Sequence, residues 1–255
     1  MRIKWVPCLK LTTGDIVTRL TKAALLFLSI GLYTPPVVCQ VSGGIPPRSV
    51  KPETSNSSQG YSLDNAKRSS ERISVQGRVE LEIPKGWLVH DENQRKRVRE
   101  VAQGVSQVAD QHFAAFSASS HPPPSKIWIR VSFIPLESPI QQSTLRQVIR
   151  RARSELINGF AESWNEESKV MWQGLSKLGI TEVGKPSVDV EDLDGKIAFT
   201  IKYGRTSADN SSDTVRVTQY HVPLGADKVL ITLSHIDDKD SFQKTSLIKQ
   251  SIRIR

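Results

Sequence analysis

Five histidines, His90, His112, His121, His221 and His235, are the side chains best suited to moving protons near neutral pH. No two of them stand at His-x-x-x-His spacing. The chain also lacks a Gly-x-Ser-x-Gly elbow and a glycine-rich phosphate loop. The densest polar cluster is Ser234, His235, Asp237, Asp238 and Asp240. Its chemistry reads in two ways. His235, Asp237, Asp238 and Asp240 offer an imidazole and carboxylates for an oxygen-rich metal site, or a His–Asp pair for base catalysis in a hydrolase or metal-dependent enzyme. The same residues are what a strand end, a turn and a helix cap require, and that structural reading is favoured. No cofactor is implied.

Basic residues are the second candidate. Arg146, Arg150 and Arg153 fall on one face of a helical pattern, beside its apolar stripe. Such a row could meet an acidic partner, polyphosphate or an anionic membrane surface. Its structural alternative is a solvated helix face, with Glu155 four residues from Arg151 as an ordinary ion pair. Arg95, Lys96, Arg97 and Arg99 form another basic cluster. Trp87 and Trp128 are expected to anchor the core where strands meet helices, with a ligand-lining role as the alternative.

The elements that position these residues begin late in the chain. Of 255 residues, the first 39 combine a basic start, an uninterrupted apolar run from Ala23 to Tyr33, and a small-residue exit. That arrangement predicts a secretory signal, too short in its apolar part to span a bilayer. Cleavage after Cys39 leaves a mature chain without a thiol, since Cys8 is lost as well. Lipid attachment at Cys39 is the less favoured alternative, because Val38 is a poor match before a lipidated cysteine. Residues 40–72 are rich in Ser, Pro, Gly and Asn, and predict a flexible polar tether.

Charge follows the same division. The whole chain carries +9, but residues 73–255 hold 25 basic and 22 acidic side chains, a net +3. That near-neutral domain gives no reason to expect nucleic acid.

From Ile73 onward the hydrophobic pattern is regular. Val79, Leu81 and Ile83 alternate as a half-buried strand. Asp91 and Gln94 form a capping box, and apolar residues at helical spacing predict a helix continuing to Phe116. Lys126 to Ile134 reads as a strand covered on both faces. A long helical pattern follows Pro139, with a break expected near Asn165. Val188 to Tyr203 is a hairpin turning at Asp194-Gly195. Thr214 to Val222 and Lys228 to Ser234 read as two more strands. Asp238 or Asp240 then caps a last helix bearing Phe242, Leu247, Ile248 and Ile252.

These residues resemble a known family. The run Val79-Glu80-Leu81-Glu82-Ile83-Pro84-Lys85-Gly86-Trp87 is similar to the strand, Pro, Gly, Trp opening of PsbP-like and DcrB-like domains. The Gly195 hairpin with Ile201-Lys202-Tyr203, then Gln219-Tyr220-His221-Val222 and Val229 to Ser234, follow in the family's order. The resemblance spans residues 73–255. It implies an α+β fold, an α-β-α sandwich with a mostly antiparallel sheet and helices on both faces. It also implies an exported, non-catalytic accessory or binding protein, most naturally periplasmic, whose partner is another envelope protein. The long tether and the extended central helical stretch depart from the family's pattern.

Overall fold

The computed structural model describes residues 70–105, 114–121, 124–207 and 212–255. The expected signal over 1–39, and the expected tether up to residue 69, lie outside the described residues. Strand β1, Ser70–Val75, begins three residues ahead of the expected domain boundary at Ile73. It pairs with β2, Val79–Pro84, through a turn in which Gln76 and Gly77 both take positive φ. The register pairs Val75 with Val79, so Gln76, Gly77 and Arg78 make the turn, and the Arg78 amide donates to the Val75 carbonyl at 3.1 Å. Then come β3, Leu88–Val89, and helix α1, Glu92–Val105. β4, Ala114–Ser119, and β5, Ile127–Ile140, lead into helix α2, Gln142–Ser176. Three long strands follow: β6, Glu182–Leu193, β7, Lys196–Thr206, and β8, Thr214–Ile236. Helix α3, Lys239–Ser251, and β9, Arg253–Ile254, close the fold.

Two antiparallel sheets result, one in the order β1-β2-β9 and the other β3-β4-β5-β8-β7-β6. The architecture is the expected α+β sandwich. One face of the large sheet packs Ile129, Val131, Ile231 and Leu233 against α3 and the small sheet. The other face packs Ile201, Tyr203 and Val217 against α2. On that second face Phe160 stacks on Phe199 with centroids 4.7 Å apart and meets the edge of His221 at 5.5 Å. Gln142 fastens the start of α2 to the sheet. Its amide nitrogen donates to the carbonyls of Ile197 and Pro223, and its oxygen accepts from the Ile197 amide at 2.7 Å.

The structure differs from the sequence reading at three places. Helix α1 ends at Val105, and Phe116 lies buried in strand β4 rather than on a helix. Ala114, Phe116 and Ala118 alternate with Ala115 and Ser117, so period two competes with the helical spacing there. The long helix departs from helical geometry at Ala152 (φ −147°, ψ 46°), not at Asn165. Apolar residues, Leu145, Val148, Ile149, Ala152, Leu156 and Phe160, keep helical spacing straight through Ala152, which is why spacing does not locate the kink. Finally, the two strands expected between Thr214 and Ser234 are one strand, β8, in which Gly225 takes φ +69° beyond Pro223. Its first half pairs with β7 and its second with β5.

Among the described residues Trp164, 1% exposed, is the largest fully buried side chain, whereas Trp87 and Trp128 are only half-buried against their cores. Trp164→Ala is expected to cost about 3–5 kcal/mol in urea unfolding, and Trp87→Ala clearly less. An unchanged midpoint for Trp164→Ala would mean that α2 does not pack on the sheet as described.

Candidate functional site

Strand alternation decides which side chains reach the outer face of the large sheet beyond α3. Register pairs Ser187 with Lys202, Lys202 with Thr218, and Gly204 with Arg216. Directly paired residues share a face, so these residues project together. Gly204 keeps that floor low, because a Cβ there would stand 2.6 Å from the Val183 carbonyl. Helix α3 forms one wall with Phe242, Thr245 and Lys249, and Lys185 stands on β6 opposite. The groove between them encloses about 550 Å3.

Two carboxylates organise its cations. Glu191 accepts from Lys202 and from Lys249, each at 2.6 Å. Burial opposes the charge on Glu191, but the hydrogen bonds from the two lysines outweigh it and hold its carboxyl below the usual range. Lys249 also sits over the Tyr220 ring, 5.2 Å from its centroid. Asp237 accepts two hydrogen bonds from Arg216, at 2.9 and 2.7 Å. Lys185 has no carboxylate partner among the described residues.

The residues singled out as a possible metal or acid–base site are each engaged otherwise. His235 and Asp237 do line the groove, but Asp237 is held by Arg216, and the His235 Nδ1–H donates to the Ile236 carbonyl at 2.8 Å. Asp238 caps α3, accepting from the Ser241 amide at 2.7 Å and the Ser241 hydroxyl at 3.0 Å. Asp240 pairs with Lys244 one turn on. No cluster of three or more His, Cys, Asp or Glu placed to hold a metal occurs among the described residues. Phe242 is not a core residue of the last helix: it is 60% exposed and meets the His235 ring edge-on at 5.9 Å.

Arg146, Arg150 and Arg153 are all exposed, and the kink at Ala152 falls between Arg150 and Arg153. Arg146 donates to the Gly195 carbonyl, while Arg153 donates to Asp189 at 2.7 Å and to the Val190 carbonyl at 2.9 Å. Two of the three thus hold α2 to the β6–β7 hairpin. Near α1, buried His90 contacts the hydroxyls of Ser117 and Ser119, and burial together with Arg95 holds its imidazole below the usual range.

The groove cations come from four separate elements, so linear spacing carried no sign of them. A second missed feature lies under α2. Lys228 on β8 is 2% exposed, and burial lowers its ammonium to about 8 against the opposing field of Glu167. Burial in turn pushes Glu167 up to about 8, against Lys228 and the Ser163 hydroxyl. The one available signal was a lysine heading the apolar run Val229 to Leu233.

With this geometry described, known proteins give the following comparison. No protein-family model and no curated protein matches the chain in sequence. In structure it is similar to cyanobacterial PsbP (CyanoP) from Synechocystis sp. PCC 6803, at 14% identity and TM-score 0.42, over 79% of this chain and 98% of that one. It is also similar to LpqN, involved in cell envelope biogenesis of Mycobacterium tuberculosis, at 13% identity and TM-score 0.38, over 76% and 97% of the two chains. The Saccharomyces cerevisiae Ran-binding protein Mog1p follows at 12% identity and TM-score 0.35, over 72% and 95%. Among the described residues no helix is long and apolar enough to cross a membrane.

The buried pair predicts a pH profile. Unfolded, Glu167 ionises near 4.5 and Lys228 loses its proton near 10.5. Between 4.5 and 8 the folded protein holds a Glu167 proton that the unfolded chain has released, so stability falls as pH rises. Between 8 and 10.5 the unfolded chain holds the Lys228 proton that the folded protein has released, so stability rises again. Glu167→Gln is expected to flatten the fall in melting temperature between pH 5 and 8 while the alkaline rise persists. Parallel wild-type and variant profiles over that range would show that Glu167 ionises normally.

Proposed function

We propose that this chain is an exported, non-catalytic accessory protein of the cell envelope that acts by binding another envelope protein. The observation that carries this reading is the groove beside α3. It is an open site lined by charged, hydroxyl-bearing and aromatic side chains, where Glu191 and Asp237 fix cations and Asp238 caps a helix end instead of converging on a metal or an imidazole. Such a site holds a ligand by complementary charge and hydrogen bonds. The basic start, apolar run and small-residue exit over residues 1–39 support export, with the mature chain beginning near Gln40 and running periplasmically through a polar tether.

Expression of the full chain in its host tests both parts. The protein is expected in the envelope fraction with an intact mass corresponding to a start near Gln40. Crosslinking there is expected to join it to a defined protein. Recovery of the uncleaved chain from the cytosol, or the absence of any crosslinked protein, would overturn the proposal. An added lipid mass would instead place the anchor at Cys39.

A further inference from the structure

Resting on the binding reading above and deepening it, we propose that the groove beside α3 receives an acidic segment of the partner polypeptide, with an apolar side chain docked on Phe242. Four cations, Lys185, Lys202, Arg216 and Lys249, face it from four different elements, against Glu191 and Asp237. The groove therefore holds an excess of two positive charges, most of the net +3 over residues 73–255. Glu191 is only 19% exposed along its side chain and is shared by two lysines. It anchors their ammonium groups and leaves them hydrogen-bonding capacity toward a ligand, since each ammonium has three donors.

Size and shape select among anions. A volume of about 550 Å3 lies within the range of pockets that enclose drug-sized ligands, more than a single phosphate needs. The groove is concave, so its cations, standing on the floor strands and on both walls, converge on a narrow segment better than on a flat lipid surface. Phe242 supplies what a purely ionic site lacks, an aromatic surface that gains on losing water. Thr218 adds a hydroxyl to the lining, and the Thr245 and Ser246 hydroxyls, which donate to the Ser241 and Phe242 carbonyls, keep acceptor capacity toward a peptide amide. Strand addition is not the mode of recognition. The adjoining edge strand β6 carries Pro186 and an irregular register between Val183 and Ser187, which removes a donor and breaks the ladder.

The test uses purified full chain and a short fluorescein-labelled peptide of glutamate and leucine, followed by fluorescence anisotropy. The peptide is expected to bind and to weaken as salt is added. Lys185→Gln with Arg216→Gln should weaken it about tenfold, and Phe242→Ser several-fold, with melting temperatures unchanged because all three residues are exposed. Lys169→Gln with Lys177→Gln, the same loss of charge on α2 and the residue just after it, should leave affinity within about twofold. Failure to bind the peptide, or an equal loss in the α2 variant, would overturn the proposal. Tighter binding of inorganic phosphate or of anionic phospholipid vesicles than of the peptide would overturn it as well. A photocrosslinker replacing Phe242 in the host separates the two levels. Capture of a protein through a non-acidic segment would overturn this inference and leave the binding reading standing, whereas no captured protein at all would overturn both.

Discussion

The pairing of β8 holds this molecule together. A single strand from Thr214 to Ile236 bonds to β7 along its first half and to β5 along its second, changing partner between His221 and Gly225. Without it the large sheet would separate into β3-β4-β5 and β6-β7, and neither face would be wide enough to cover a helix. Gln142 reads that same junction, bonding to the Pro223 carbonyl on β8 and to both backbone groups of Ile197 on β7. The site where α2 begins is thus fixed by the place where β8 changes partner. The groove depends on the junction too, because Arg216 and Thr218 lie on the first half of β8 while Leu233 and His235 lie on the second.

The two faces of the sheet manage polarity in opposite ways. Toward α3 the cations lie open to water, and surface pairs of this kind contribute little to stability. Toward α2 the polar groups are shut in. Lys228 lies beneath α2 and Glu167 on its inner side, among aliphatic and aromatic contacts, and Glu167 Oε2 has no hydrogen-bond partner among the described residues. Burying ionisable groups costs stability, so a well-packed apolar pair there would be no worse for folding. The α3 face therefore carries charge at little cost to the fold, while the α2 face packs Phe160, Trp164 and Tyr203.

What the sequence made legible was local. The capping box is present in both directions, with Gln94 accepting from the Asp91 amide and Asp91 from the Gln94 amide. The Asp194-Gly195 turn has the positive φ values its residues suggest, and Asp238 caps the last helix. Each of these depends on residues within a few positions of one another. What stayed hidden depends on residues far apart. The Ala152 kink lies within unbroken apolar spacing, and Phe116 satisfies two periods at once. The groove's cations sit on β6, β7, β8 and α3 and meet only after those elements pair. The aspartates near His235 were visible as a cluster because they are consecutive, and being consecutive is what suits them to a turn and a cap.

The small sheet also has a mechanical consequence. β1 is its edge strand, and Ser70 pairs with Pro84 at the open end of the β1–β2 hairpin, opposite the Gln76-Gly77 turn. A pull applied through the residues preceding Ser70 therefore loads the hydrogen-bonded pairs one after another, from Ser70 inward, instead of shearing them all at once. Peeling of that kind yields at low force. It would release β1 while β2 stays pinned by β9 and by the contacts of Val79, Leu81 and Ile83 with the core. The large sheet and its groove take no part in that first event. Under such a load β1 would part from β2 and lengthen the chain before the large sheet and its groove are disturbed.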